Sequence, residues 1–168
     1  TATVAQALIL DAATTGAITA TISNGDLTTL TALTDANGNN ALTITLTDTS
    51  ADAADLNTVA AITSVVVDAT AVTTITGTAD AIVTVAQSDG ITTATNYAAT
   101  VDSGTATVAQ ALILDAATTG AITADIKEGD LTTLTALADA NGNNALTITV
   151  TDTSADAADL NTVATITS

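Results

Sequence analysis

The sequence predicts a repeat solenoid of parallel β–α type, each unit of about 26 residues contributing a short helix and a strand. Three observations predict it. Residues 1–64 and 105–168 are one segment written twice at an offset of 104, with 58 identities in 64 aligned positions. Within one period, four stretches carry apolar residues three apart. Each of these is followed by a segment of β type. A helix–strand unit of this size cannot bury its apolar face alone, so neighbouring units are expected to stack and pair their strands in parallel, with right-handed crossovers.

The elements follow in chain order. The first helix is expected around Val4, Ala7 and Leu10, with Thr1 or Thr3 as its cap. The segment 17–22 then sets Ile18, Ala20 and Ile22 against Thr19 and Thr21, the alternation of a half-buried strand. Leu27, Leu30 and Leu33 mark a second helix, capped from Ser23 or Asn24. Residues 42–47 alternate Leu42, Ile44 and Leu46 with Thr43, Thr45 and Thr47. A third helix is expected on Leu56, Val59 and Ile62 after Ser50, with a strand over 65–70. A fourth carries Ile82 and Val85 after Thr78 and leads into the poorly patterned 93–101. The spacing of three suggests short helices tending toward 3₁₀ geometry. Asp26, Asp52, Asp55 and Asp80 fall in or near first turns, where capping and the helix dipole explain them. The organisation read from this is one long repeat, 1–104, in units 1–22, 23–49, 50–77 and 78–104, then a partial copy, 105–168. An all-β solenoid is the alternative, because Thr-rich composition favours strands and 71–77 reads as a further short one.

Composition excludes whole classes of function. Of 168 residues, 41 are Thr and 38 Ala; Cys, His, Pro, Met, Trp and Phe are absent; the net charge is −17 with a single basic residue, Lys127. Nucleic acid is not expected as a partner, because a polyanion is bound by displacing its counterions with Lys and Arg. No apolar run approaches the roughly 18 residues of a spanning helix, so membrane insertion is not expected either. Thiol, imidazole and zinc chemistry lack their residues. Paired carboxylates of a glycoside hydrolase remain the one conceivable catalytic class, but a sugar platform would have to come from Tyr97, the single aromatic residue. The expectation is a protein that is not an enzyme, with no catalytic or cofactor-binding residues.

The stretches 42–87 and 25–33 resemble the Thr/Ala/Asp-rich repeats of giant cell-surface proteins of cyanobacteria and related aquatic bacteria, with TDTSADAADLN and VTTITGTAD as the recurring elements. The likeness runs over essentially the whole chain. It implies a secreted, extracellular protein of adhesin, motility or filament type, and it brings no catalytic residues. The calcium-binding GGxGxD nonapeptide is missing.

One motif suggests a metal. Asp35, Asn37 and Asn39, repeated as Asp139, Asn141 and Asn143, sit at alternate positions like the opening of a calcium loop. Leu46 stands where a bidentate Glu would complete it, so the other reading is a turn with Gly38 and the Asn residues in left-handed conformations. Calcium is therefore possible, and Asp48, Asp52, Asp68, Asp89 and Asp102 could add bridges between units. Outward Thr rows also suggest an ice-binding lattice, although Thr21 becomes Asp125 in the second copy. The expected function is structural: a stiff acidic rod in a cell-surface or filament assembly, continued end to end by the same polypeptide or by other copies. A calcium-rigidified adhesin stalk is the alternative, and an ice-binding solenoid a minor one. Tyr97 is expected to fill the core, and Lys127 with Glu128 to be surface drift between copies.

Overall fold

The stretches with a spacing of three all form helices, and these are α-helices rather than 3₁₀. They are α1 (Val4–Ala13), α2 (Leu27–Leu30), α3 (Ala53–Ala60) and α4 (Ala79–Ala86), followed in the second copy by α5 (Val108–Ala117), α6 (Leu131–Leu134) and α7 (Ala157–Ala164). The computed structural model describes residues 1–167. Local chemistry explains where each helix starts. Thr3 accepts from the Gln6 amide at 3.2 Å while the Gln6 side chain accepts from the Thr3 amide at 2.9 Å, a reciprocal capping box repeated by Thr107 and Gln110. Thr78 caps α4. For α2 and α3 the caps are Asp26 and Asp52, two or three residues later than the Ser and Asn residues expected to do it.

The strands are short. They are β1 (Thr19–Thr21), β2 (Ala41–Thr43), β3 (Ser50–Asp52), β4 (Val67–Ala69), β5 (Thr74–Thr78), β6 (Ile91–Thr93), β7 (Ala98–Ser103), β8 (Ile122–Asp125) and β9 (Ala145–Thr147). Every register given by the structure is parallel. The alternation read over 42–47 holds: Leu42, Ile44 and Leu46 are buried and the intervening Thr residues are exposed.

The structure corrects the solenoid expectation. The chain forms two compact units of α/β structure, with parallel sheets of five, two and two strands and seven helices among the described residues. Those helices also exclude the all-β alternative. Two features work against a uniform stack. Register partners lie 22 to 25 residues apart (Thr19 with Ala41, Val67 with Ile91, Thr78 with Ser103), so no fixed coil length of about 26 governs the pairing. The chain also interleaves: one compact unit comprises Thr1–Thr73 with Ser88–Ala94, the other Thr74–Gln87 with the chain from Thr95 on. A one-dimensional stack would divide into contiguous stretches.

In the first unit β1 pairs with β2 and β4 with β6. Its core includes Leu30, Leu42, Ile44, Leu56, Val59 and Val67, each at most 1% exposed. In the second, β5, β7, β8 and β9 are neighbours in that order, four of the five strands of the largest sheet. Its core holds Ile75, Ile82, Tyr97, Leu114, Ile122 and Leu134. No helix among the described residues is long and apolar enough to cross a membrane.

Candidate functional site

The acidic turn at 35–40 and its copy at 139–144 are the candidate site, and their geometry is that of a braced turn. Gly38 and Gly142 take φ +67, the left-handed conformation expected of them. No other residue type in the chain has a positive φ among the described residues, so the Asn residues do not share it. The Asp35 carboxylate is used by the turn itself: Oδ1 accepts from the Asn39 amide at 3.2 Å and Oδ2 from the Asn40 amide at 3.0 Å. Asp139 accepts in the same way from the amides of Gly142 (2.8 Å), Asn143 (3.2 Å) and Asn144 (3.1 Å). Asn37 and Asn39 turn their side-chain amides back to the carbonyls of Thr14 and Thr15. Asn143 donates to the carbonyl of Thr119 at 3.1 Å, and Asn141 is exposed. These residues thus lie together in each copy, and their carboxylates are bound by backbone N–H groups. Among the described residues no group of three or more carboxylates stands close enough to hold a metal ion.

Sequence reasoning passed over the side chain at the centre of this turn. Asn40 is 2% exposed and joins three segments. Its Nδ2 donates to Asp11 Oδ1 at 3.0 Å, its Oδ1 accepts from the Ile18 amide at 3.1 Å, and its carbonyl accepts from the Ser64 amide at 2.9 Å. Asp11, itself buried, also accepts from the Thr34 hydroxyl at 2.8 Å and the Ala36 amide at 3.3 Å. The hydrogen bonds from Asn40 and Thr34 hold the Asp11 carboxyl below its ordinary value, and burial opposes them in part. In the second copy Asn144 repeats the bridge to Asp115 (2.9 Å) and to the Ile122 amide (3.0 Å), but Ala138 replaces Thr34 and that hydroxyl is gone.

Other acidic residues act as caps across segments. Asp48 Oδ2 accepts from the first amide of α2, Leu27 N, at 2.7 Å, and Asp152 serves Leu131 at 2.6 Å. Asn24 accepts from the Val4 amide at 3.0 Å, and its replacement Glu128 accepts from Val108 at 3.0 Å. The change to Glu128 therefore keeps a helix cap and is not surface drift. Asp68 accepts from the hydroxyl and amide of Thr70, which lowers its pKa; Asp26 and Asp130 are lowered by hydrogen bonds from Thr29 and Thr133. Asp89 and Asp102 are exposed. The Thr rows are short: Thr21 stands beside Thr43, but Thr19 faces Ala41 and Thr45 bridges to Asp68.

Tyr97 is 1% exposed, as expected of a core residue, and its buried hydroxyl has no hydrogen-bond partner among the described residues. Burial raises its pKa. An open concavity of about 270 Å³ lies between Asp80, Gln110 and Lys127. No protein family, characterised protein or solved structure matches this chain.

Proposed function

We propose that this is an extracellular structural protein without enzymatic activity, a repeating acidic element of a cell-surface or filament assembly that associates with further copies of the same repeat. The observation that carries the reading is how the acidic groups are used. In both copies carboxylates that would serve a ligand or a reaction are occupied as caps and turn braces. Two nearly identical segments also give no unique pocket on which one substrate could act. What the duplication preserves is architecture, which suits a protein whose work is shape. A secreted location agrees with the composition: one Lys and no Arg leave little for trypsin-like proteases, and the absence of Cys removes any dependence on redox state.

The test is electron microscopy of the purified chain with EDTA and at millimolar calcium. Fibres under both conditions are the expected outcome; discrete particles at every concentration sink the assembly reading. A calcium-rigidified adhesin stalk is the second reading, favoured by a net charge of −17, which a divalent cation would relieve. It requires EDTA to lower the melting temperature by many degrees.

A further inference from the structure

The two copies provide an internal comparison, because the same sequence stands in two surroundings. In α5, Leu114 is fully buried; in α1, whose ten residues are identical, Leu10 is 47% and Ile9 69% exposed. The difference is the neighbour. In the second unit α4 packs beside α5, and Gln110 donates to Asp80 at 2.5 Å. The strands differ in the same sense. β8 pairs on one side with β9 and on the other with β7, through Ala99 with Ile122 and Thr100 with Thr123. β1, its counterpart, pairs among the described strands with β2 alone. Thr118 is buried and donates to the carbonyl of Tyr97 at 2.6 Å, whereas Thr14 is exposed.

A glycine makes the comparison sharper. A Cβ placed on Gly120 would collide with the backbone carbonyls of Tyr97 and Asn96, so only glycine admits that close approach. Gly16, at the same place in the first copy, meets nothing nearer than the Thr14 hydroxyl at 3.3 Å and has no positive φ. It keeps a clearance that nothing in the first unit uses.

We infer that the face formed by Ile9, Leu10, Thr14, Gly16 and the open edge of β1 is a docking site for a segment with the sequence of Thr74–Gly104, supplied by a further copy of the same repeat. The incoming helix takes the place of α4 over Leu10. The incoming strand extends β1 in parallel, with the residue equivalent to Ala99 opposite Ile18 and that equivalent to Thr100 opposite Thr19. Its Tyr97-type carbonyl passes over Gly16 and accepts from Thr14. Main-chain pairing at an open edge supplies the register, and the buried Leu and Ile supply the apolar contact. Both partners are acidic: the segment carries Asp80, Asp89 and Asp102 and no basic residue. Docking therefore tightens as salt rises, opposite to a contact made by charge attraction. This deepens the assembly reading by naming the face and the segment that meet.

The experiment is hydrogen exchange on the full chain, alone and with an excess of a synthetic peptide of residues 74–104, at low and high salt. Amides of α1 and of Thr19–Thr21 should slow by at least about tenfold, more at high salt, while those of α5 and β8 stay unchanged. Gly16→Val and, separately, Leu10→Asp should abolish the slowing; the free Gly16→Val variant should melt close to the parent, so that its loss of slowing reads docking and not a loss of fold. No slowing, or slowing that persists in both variants, overturns the inference. The two proposals fail separately. Fibres that still form with Gly16→Val would leave assembly standing and remove this face from it. Peptide protection in a chain that never forms fibres would keep the face and remove the filament.

Discussion

Asn40 bears more of the first turn than any residue that looks like a ligand. It is 2% exposed and satisfies Asp11 on one side and the Ile18 amide on the other. Removing it strands a buried N–H and takes a donor from a buried carboxylate, so Asn40→Ala should cost about 2–3 kcal/mol in a denaturant titration. Tyr97 is the opposite case. Its ring fills the core but its hydroxyl lacks a partner among the described residues. Tyr97→Phe keeps the ring and removes a desolvated polar group, which should raise stability by up to about 1 kcal/mol, read as a higher melting temperature. Both residues show the limit of reading from sequence. The alternate Asp and Asn positions at 35, 37 and 39 stood out because ligand loops have that spacing. Asn40 did not, because its partners are Asp11 and Ile18, 29 and 22 residues away.

At the scale of elements, much was legible. Thr3 as a cap of α1 and the alternation of Leu, Ile and Thr in 42–47 are local signals, and both describe what forms. The caps that cross segments were not legible: Asp48 on α2 and Asn24 or Glu128 on α1 and α5 require knowing which chain ends lie together. Thr107→Ala removes the side chain that holds the Gln110 amide and should destabilise the second unit by about 1 kcal/mol in a thermal melt. Glu128→Gln retains an acceptor for the Val108 amide and should lose only the favourable charge at the helix N-terminus, about 0.3–1 kcal/mol, an amount that shrinks as salt is added.

For the whole molecule, acid and alkali should act through different groups. Asp11, Asp26, Asp68 and Asp130 have folded-state pKa values below the ordinary 3.8, so the stability they add is complete above that value and is lost as pH falls through the lowered ones. Tyr97 has a pKa raised above 10.0 by burial, so its contribution is complete below pH 10 and is lost as pH rises beyond it. A pH series of melting temperatures should fall at both ends, and Tyr97→Phe should remove the alkaline arm alone. Burial gives the other prediction: Leu114→Ala should cost about 2–5 kcal/mol, whereas Leu10→Ala, the same change in the same helix sequence, should cost well under half of that.

That pair marks the division between what the sequence by itself determined and what only the tertiary structure decided. Capping, helical spacing and strand alternation depend on residues a few positions apart, so identical sequences give α1 and α5, or α3 and α7, the same helix. Burial depends on what lies alongside. Leu56 is fully buried and Leu160, in the same eight-residue helix sequence, is 40% exposed; 50–52 forms β3, while the identical 154–156 forms no strand. A strand exists only when a partner takes its hydrogen bonds, and a buried leucine only when another element excludes water from it. The fold class was decided at that level too. The periodicity that suggested a uniform stack is a property of the chain, whereas the partition into two units, each drawn from two stretches of sequence, with pairings 22 to 25 residues apart, is a property of the contacts.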